Sequence, residues 1–579
     1  MSTSRGTKAG RAPRASTRSG NRAVSNGQPT TRGVDARPRS GDESGPPPLP
    51  LLDRRRVPTG AGTVVRHGLH YAGQLTSILT GASPIQPSKG DRRFADPAFT
   101  DNPLYRRVMQ AYLAFSAEMD TAIEESHLGW KDKELLGFLA DMLTSTIAPT
   151  NAAIGNPAAI KRAFETGGAS LVLGLRNLVH DLRFNGGMPS QVKGGTLRVG
   201  EDLAVTPGAV VYRDAVCEVI QYAPTTSSVW RRPVLLVPPQ ISKYYFMDLS
   251  PRRSFIEFAV SRGIPFFAIS WRNPGPEDRE YNLDVYAASV LRVIDAVRDI
   301  TGSDQVNTLG MCAGGILTSI VLGHLADTGD TRVHSASFGV TLLDFAEPAP
   351  IGMFNMPFLV GQARRRSSRA GVLDARALAV IFNWMRPNDL IWNYWVNNYL
   401  MGNDPGVFDI LAWNGDGTSL PAALHHQFLK MFNLNLLADG QLQVLGSRID
   451  LAKIDIDVYA TAGTTDHLTP WKGCYRTTQL MSGDMTFVLS NAGHIASLVN
   501  PPGNPKAYYF AGPKPGPDPD AWKATADRVP GTWWEHWVDW VSARSGEEVT
   551  APKTLGSKAY PVLESAPGSY VLERIPVVV

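Results

Sequence analysis

The sequence is poor in cysteine and contains no long apolar run. Its three cysteines, Cys217, Cys312 and Cys474, are too few and too scattered for a disulfide framework or a zinc cluster, so no metal site is predicted. No stretch approaches the roughly 18 apolar residues that a membrane-spanning helix requires. The amino terminus carries charge but lacks the apolar core of a signal peptide. We therefore expect a cytoplasmic chain without a transmembrane segment.

An excess of charge of one sign is also missing from most of the chain. The net charge is +4, but the first 56 residues hold 12 basic and 4 acidic side chains, so the remainder is slightly acidic. A nucleic-acid partner is not expected, because such binders need a one-sided positive field. Residues 1–56 consist mainly of Arg, Ser, Gly, Thr and Pro and cannot offset their ordering entropy by burial. They are predicted to form a disordered basic tail.

The remaining chain shows two patterns. Residues 57–195 are predicted to form a helical amino-terminal domain, because apolar residues recur three and four apart after the start signal Asp101-Asn102-Pro103. Residues 196–579 contain short apolar runs that alternate with helical patterns, which predicts an α/β domain with a mostly parallel central sheet covered on both faces. The runs predicted as strands are AVVYR, CEVIQY, PVLLVPP, IPFFAISW, VNTLGM, SASFGVTLLDF, DIDVYATAG and MTFVLSNAG.

The alternation breaks between about residues 346 and 452, in an interval rich in Trp, Asn, Leu and Phe. Insertions longer than ~15 residues usually carry function or their own structure, so we predict a cap over the sheet. Trp384, Trp392, Tyr394 and Trp395 fall close together there and are expected to form the core of the cap. We further hypothesise that Trp392 belongs to a gate and a subunit contact, because an opening lid exposes apolar surface that a second subunit could cover.

One short motif carries the candidate nucleophile. Gly310-Met311-Cys312-Ala313-Gly314 follows an apolar strand and opens a helical run. This is the context of the G-x-S-x-G nucleophile elbow of α/β-hydrolases, with cysteine in the serine position. The small residues permit the tight, strained turn that lifts the sulfur above the sheet. A buried structural cysteine near glycines would give the same letters, and the strand–turn–helix context favours the nucleophile.

The other members of a triad follow in the order that this fold requires, acid and then histidine, after late strands. Asp466 directly follows the run DVYATAG, and His494 directly follows TFVLSN. An oxyanion hole needs two backbone N–H groups, which we assign to Ala313, next to the nucleophile, and to Ile241 in the loop LLVPPQISKYY. His425 and His426 lie in the predicted cap and are expected to be structural.

With these residues in place, the chain resembles the polyhydroxyalkanoate synthases, and more narrowly their class II, medium-chain-length type. The resemblance covers about residues 70 to 574. Ala313 departs from the family pattern, which often has serine after the nucleophile, and the first 56 residues match nothing in it. The matching stretches include DRRFADPAF, APTNAAIGNPAAIKRAFETGG, NGGMPSQV, LLVPPQISKYY, SWRNP, GMCAGG, MRPNDLIWNYWVNNYLMGNDP, FDILAWNGD, AGTTDHLTPW and FVLSNAGHIASLVNPPGNPKA.

The resemblance implies that Cys312, Asp466 and His494 form the triad of an acyltransferase that polymerises (R)-3-hydroxyacyl-CoA. It implies no cofactor, since coenzyme A arrives as the substrate thioester, and it implies a homodimer in contact with the growing polyester and the granule surface in the cytoplasm. Cysteine chemistry agrees, because loading exchanges one thioester for another and transfer to a hydroxyl gives the more stable oxoester. The alternatives are a cysteine-triad thioesterase or hydrolase, with water as acceptor, and a catalytically dead granule-coating protein. Release of CoA together with an insoluble product distinguishes the synthase from both.

Overall fold

The computed structural model describes residues 61–346 and 357–573. The predicted tail, residues 1–56, lies outside the described residues, as does the stretch 347–356 of the predicted cap. The domain boundaries given above stay predictions. Among the described helices, none is long and apolar enough to cross a membrane.

Helices dominate the chain before the sheet. Asn102 and Asn156 cap the third and fifth of these helices by accepting backbone N–H bonds, and a proline follows each of them in the first turn. The last two helices are separated at Gly167 and Gly168, whose φ values of +57° and +86° suit glycine. The helices are α1 (Ala61–Thr80), α2 (Ala98–Asp101), α3 (Pro103–Glu124), α4 (Trp130–Thr146), α5 (Pro157–Glu165) and α6 (Ala169–Phe184).

A large twisted sheet forms the centre of the α/β part. Each of the eight runs predicted as strands contains one, although the sixth strand ends at Gly339, earlier than its run suggests. The strands are β1 (Gly208–Arg213), β2 (Cys217–Tyr222), β3 (Ser228–Trp230), β4 (Val234–Val237), β5 (Phe266–Trp271), β6 (Val306–Met311), β7 (Val333–Gly339), β8 (Val372–Leu373), β9 (Leu420–Pro421), β10 (Gln443–Val444), β11 (Ser447–Arg448), β12 (Asp457–Gly463), β13 (Met485–Ser490), β14 (Tyr508–Ala511), β15 (Asp527–Pro530), β16 (Glu548–Thr550) and β17 (Glu564–Ser565).

Strand order places two loops side by side. Eleven strands follow the order β15-β14-β13-β12-β7-β6-β4-β5-β2-β1-β17. The pairs from β5 through β4, β6, β7 and β12 to β13 are parallel, and the outer pairs are antiparallel. Because β4 is hydrogen-bonded to both β5 and β6, the chain changes direction across the sheet at this point. The loops after β4 and β6 leave the same edge there, and this is where α/β sheets bind their ligands.

Helices cover both faces of the sheet. One face packs against α8 and α9, and the other against α7 and α18. A Trp-rich helix near the carboxyl terminus belongs to the core: Trp533, Trp534 and Trp537 are buried, and Phe255 stacks on Trp533 at 5.2 Å between ring centroids. The helices of this part are α7 (Phe255–Ser261), α8 (Leu283–Thr301), α9 (Ala313–Thr328), α10 (Pro357–Ala370), α11 (Ala375–Trp384), α12 (Asn393–Trp395), α13 (Asp409–Asn414), α14 (Ala422–Leu434), α15 (Trp471–Arg476), α16 (His494–Leu498), α17 (Pro519–Thr525) and α18 (Trp533–Ser542).

The interval predicted as a cap contains α10 to α14, with two π-helical turns on either side of α12. Helix α6 packs tightly against the second of these turns. A Cβ added at Gly174 would lie 2.0 Å from the carbonyl oxygen of Tyr399, so only glycine permits this approach. The Asn177 amide also donates to the Asn398 and Asn403 carbonyls. The amino-terminal helices and the cap therefore support each other.

Candidate active site

Cys312 stands at a strained turn between β6 and α9. Its backbone has φ +49° and ψ −119°, a region that residues with a Cβ rarely adopt and that often marks functional sites. The Cys312 N–H donates to the Gly339 carbonyl at 2.9 Å, which ties the turn to the end of the neighbouring strand β7. The side chain is half-buried. The sulfur is therefore held at the carboxyl edge of the sheet and remains accessible.

The glycines of the motif allow the close approaches that shape this turn. A Cβ added at Gly310 would lie 2.7 Å from the Cα of Gly315. A Cβ added at Gly314 would lie 2.1 Å from the carbonyl oxygen of Val237. The second contact also shows that the end of β4 and the loop after it lie directly against the elbow.

Gly314→Ala is expected to destabilise the protein, because the new methyl group meets backbone rather than a side chain that can move. Overpacking of this kind costs roughly 1–3 kcal/mol, and CoA release should fall with it. Urea unfolding and an activity assay measure both effects. Gly73→Ala in α1 is the matched control: nothing lies within 4 Å of its added Cβ, so it should be neutral or slightly stabilising. Equal stability of Gly314→Ala and the wild type would contradict this account of the elbow.

Asp466 and His494 form a buried pair beside the elbow. Asp466 lies in the loop after β12 and His494 at the start of α16, and the His494 Nδ1–H donates to Asp466 Oδ2 at 2.7 Å. Asp466 Oδ1 accepts the N–H groups of Leu468 and Thr469, each at 2.9 Å. The Thr469 hydroxyl donates to Asp466 Oδ2 at 2.7 Å. Both carboxylate oxygens are therefore occupied.

The pair shifts the acid–base properties of its members. Burial alone would lower the pKa of His494, but the charge and hydrogen bond of Asp466, together with the hydrogen bond to Cys312, raise it to about 10. Burial would raise the pKa of Asp466, and the adjacent His494 outweighs this and lowers it. The structure thus places Asp466 and His494 in one hydrogen-bonded pair, and Cys312 is near enough to contribute to the raised pKa of His494. The assignment of the three residues as a catalytic triad stays a prediction.

The other two cysteines have a different setting. Cys217 and Cys474 are buried, and burial raises the pKa of each thiol. The Cys474 Sγ donates to the Thr469 carbonyl at 3.5 Å, and Cys217 Sγ lies 3.3 Å from the Ser289 hydroxyl. Both behave as core residues, since reactive thiols are accessible and easily ionised. Within residues 61–346 and 357–573, no three His, Cys, Asp or Glu side chains are grouped to hold a metal.

The two assigned oxyanion donors lie on either side of the contact between β4 and the elbow. Ala313 is the first residue of α9, where the N–H has no partner within the helix. Ile241 lies in the loop after β4, and its carbonyl accepts the Thr418 N–H at 3.0 Å. None of the described residues accepts a hydrogen bond from the Ile241 N–H. The assignment of Ala313 and Ile241 stays a prediction.

Trp392 lies within a row of aromatic rings in the cap. Its centroid is 6.4 Å from that of Trp384 and 5.7 Å from that of Trp395, with both pairs edge to face. The row ends at Tyr399, whose hydroxyl donates to the buried Asp181 of α6. Trp384, Trp392 and Trp395 are half-buried and only Tyr399 is buried, so these rings do not form the fully buried cap core that the sequence predicted. The gating role of Trp392 stays a prediction.

A cavity of about 240 Å³ reaches this region. It is lined by α4 on one side and by Met385 and His467 on the other. Burial lowers the pKa of His467 to about 4, so this imidazole is neutral at pH 7. Because His467 directly follows Asp466, the cavity lies between the helices, the cap and the loop that carries the acid.

Sequence reasoning missed Thr469, whose hydroxyl also lies 3.1 Å from His494 Nδ1. An aspartate in a turn often accepts a hydrogen bond from the backbone two residues on, but this pattern does not single out the Thr469 hydroxyl. Only the fold shows that the same hydroxyl also approaches the histidine.

Comparison with known proteins identifies the family. A family profile described as the amino terminus of poly-beta-hydroxybutyrate polymerase matches residues 90–259, and one described as the alpha/beta hydrolase fold matches residues 234–501. Poly(3-hydroxyalkanoate) polymerase 1 of Ectopseudomonas oleovorans is 47% identical over 510 residues, which cover 88% of this chain and 91% of the relative. The chain belongs to the poly(3-hydroxyalkanoate) polymerase family.

Further members of the poly(3-hydroxyalkanoate) polymerase family agree. Poly(3-hydroxyalkanoate) polymerase 2 of Ectopseudomonas oleovorans is 47% identical over 519 residues, covering 88% of this chain and 92% of that protein. The polymerase subunit of Cupriavidus necator is 36% identical over 492 residues, covering 83% of each chain. The family resemblance and the α/β-hydrolase fold predicted from the sequence are thus confirmed.

Proposed function

We propose that this chain polymerises (R)-3-hydroxyacyl-CoA into a polyester and releases CoA, through a thioester on Cys312. Its family membership supports the overall reaction. The observation that supports the mechanism is the buried, hydrogen-bonded pair of His494 and Asp466 beside Cys312, which stands at the strained elbow. Coenzyme A enters as part of the substrate, and the proposed steps need no cofactor.

Loading of the acyl group uses all three residues. His494, whose raised pKa favours its charged form at neutral pH, holds the proton taken from the Cys312 thiol, and Sγ attacks the carbonyl carbon of the substrate thioester. The carbonyl oxygen becomes an oxyanion that the Ala313 and Ile241 N–H groups can bind. The carbon–sulfur bond to CoA then breaks, and His494 returns the proton to the leaving CoA sulfur. The raised pKa of His494 suits it to hold that proton between the two events.

Elongation transfers the acyl group to oxygen. The 3-hydroxyl of one unit attacks the thioester carbonyl of another, an oxoester bond forms, and the bond to Cys312 breaks. The hydroxyl proton passes through His494 to the sulfur, which restores the thiol. Loading changes the free energy little because one thioester replaces another. Elongation lowers the free energy, because it forms the more stable oxoester. Medium-chain acyl groups are the substrates we propose, following the class II resemblance.

The cap has a proposed part in keeping water away from the acyl-enzyme. The aromatic row through Trp392 is hydrogen-bonded to the amino-terminal part of the chain, by Trp395 to Asn151 and by Tyr399 to Asp181. We propose that this apolar segment covers the loaded acyl group. Exclusion of water separates a polymerase from a thioesterase that uses the same triad.

The polyester itself is the partner we propose for the outer face of α6. Leu171, Val172, Leu175, Val179 and Leu182 expose 52–70% of their surface, while the opposite face of this helix packs on the cap. Exposed apolar faces of this kind mark interaction sites. An uncharged polyester granule offers a matching surface.

One assay tests the reaction and the granule partner together. The protein is mixed with a 3-hydroxyacyl-CoA, and released CoA, insoluble polyester and the distribution of protein after centrifugation are measured. We expect CoA release in step with insoluble polymer, and the protein in the polymer pellet. CoA release with only free acid would show a thioesterase, and no CoA release would leave the granule-coating alternative.

Trp392→Ala tests gating and the proposed homodimer. Loss of the ring opens the aromatic row, so we expect slower onset of polymerisation, a longer lag at low protein concentration and a shift toward monomer in sedimentation. The rate at which a small thiol reagent modifies Cys312 should not change. A lag and sedimentation equal to those of the wild type would mean that this segment is ordinary packing.

A further inference from the structure

Gln240 is a buried amide without a partner. Its side chain is 2% exposed, and neither its Oε1 nor its Nε2 has a hydrogen-bond partner among the described residues. A buried polar group without a hydrogen bond is costly, and such groups in native proteins are normally paired. The amide is therefore available to bind a small polar group.

Other buried glutamines in the same chain are paired. The Gln221 Oε1 accepts the Gly556 N–H at 2.7 Å, and the Gln110 amide donates to the carbonyls of Ser83 and Ile85. All three glutamines have similarly low exposure. Lack of an internal partner thus distinguishes Gln240 from glutamines that serve the fold alone.

The position of Gln240 relates it to the reaction. It directly precedes Ile241, in the loop after β4, and the close contact of Gly314 with the Val237 carbonyl holds this part of the chain against the elbow. The residue therefore lies beside one of the two assigned oxyanion donors.

A second unpaired polar group lies on the adjacent segment. The Thr418 N–H donates to the Ile241 carbonyl, and Ser242 forms a bridge with Gly417, so these two segments run side by side. The Thr418 side chain is almost completely buried, at 1% exposure, and its hydroxyl also has no partner among the described residues. Two buried polar side chains without partners among the described residues thus lie on neighbouring segments, one of which is the loop after β4.

We propose that Gln240, assisted by Thr418, binds the 3-hydroxyl group of the acyl substrate. A hydroxyl both donates and accepts a hydrogen bond, and a glutamine amide offers an acceptor and donors on one side chain. With the thioester carbonyl directed to the oxyanion donors, the hydroxyl two carbons further along the chain reaches a different part of the same loop. Gln240 would thereby select 3-hydroxyacyl groups over acyl groups that lack the hydroxyl. This inference rests on the proposed function.

Comparison of two substrates tests the role of Gln240. Single-turnover CoA release is measured by chromatography for a 3-hydroxyacyl-CoA and for the acyl-CoA of equal length without the hydroxyl. Sites that hydrogen-bond a substrate hydroxyl reject its deoxy analogue strongly, so the wild type should load the hydroxyacyl group at least about 100-fold faster. In Gln240→Leu this ratio should fall at least about tenfold, through slower loading of the hydroxyacyl group, while the deoxy substrate keeps its rate.

The controls separate substrate binding from effects on the fold. Gln221→Leu removes an equally buried amide elsewhere, and it should leave the ratio unchanged even if it lowers stability. An unchanged ratio in Gln240→Leu would mean that water alone fills the site and would overturn the proposal, as would an equal loss for both substrates. If Gln240→Leu does not fold, Thr418→Val decides alone: a ratio lowered about threefold or more supports the proposal, and an unchanged ratio overturns it.

The proposed function can fail independently of this inference. Loading of either substrate shows that the acyl-transfer step exists, whatever the ratio between them. Absence of loading with both substrates in the wild type would contradict the proposed function itself.

Discussion

Cys312→Ala should release CoA at less than about one thousandth of the wild-type rate while the protein remains folded. The thiol is the nucleophile at the elbow, so its loss removes the covalent step rather than only slowing it. Initial rates of CoA release measure the effect, and circular dichroism checks the fold. Residual turnover above that limit would remove Cys312 from the role of nucleophile.

A matched substitution controls for the loss of a cysteine. Cys217 is fully buried in β2, and its sulfur contacts Ser289. Cys217→Ala should lower stability modestly, as expected for a small core cavity, and keep CoA release. Cys312→Ser should be nearly inactive as well, because a hydroxyl needs stronger base assistance than a thiol. It would also hold the acyl group as an oxoester, so transfer to another hydroxyl would no longer lower the free energy.

Asp466→Asn is expected to reduce loading and elongation together, on the order of 10⁴-fold, the size of effect seen when the acid of a related triad is changed to an amide. Asp466 can either orient His494 or activate the 3-hydroxyl of the incoming unit. Orientation is favoured by the occupied carboxylate: one oxygen accepts two backbone N–H groups, and the other binds His494 and Thr469. Neither carboxylate oxygen of Asp466 is left free to accept a hydrogen bond from a substrate hydroxyl.

Titration gives the same variant a second readout. In the wild type the raised pKa of His494 means that its charged form stabilises the fold fully below about pH 6.5, and that this contribution is lost as the pH rises through about 10. Asp466→Asn removes the first cause that raises this pKa, so the NMR titration midpoint of His494 should fall. Asp248→Asn is the control, because this aspartate is equally buried and bonds Thr206 and Ser254 rather than histidine. Normal single-turnover loading with failed elongation in Asp466→Asn would instead support activation of the hydroxyl.

The site residues that the sequence reveals are those whose role shows in their local context. Cys312 follows a strand and opens a helix, and Asp466 and His494 each follow a late strand, so a short window around each residue suffices. Thr469 and Gln240 have no such signal. Their importance depends on which of their polar atoms form hydrogen bonds. Those bonds depend on contacts between segments far apart in the chain, such as residues 241–242 beside residues 417–418.

The fold shows the same division. Short apolar runs predict the strands. A parallel sheet is buried on both faces, so successive residues of its strands are apolar. The end of β7 at Gly339 is not visible in its run, since the apolar residues continue through residue 345 in a buried loop. The packing of the cap on α6 also depends on a contact between residues far apart in the sequence, Gly174 and Tyr399.

Mass spectrometry of the trapped acyl-enzyme tests the covalent mechanism most directly. The protein is mixed with a 3-hydroxyacyl-CoA, quenched in acid within the first turnover and digested. We predict a mass increase of one or more hydroxyacyl units on the peptide that contains Cys312, removable by neutral hydroxylamine and absent from the peptides of Cys217 and Cys474. CoA release without an adduct on Cys312, or with the adduct on another residue, would contradict the account.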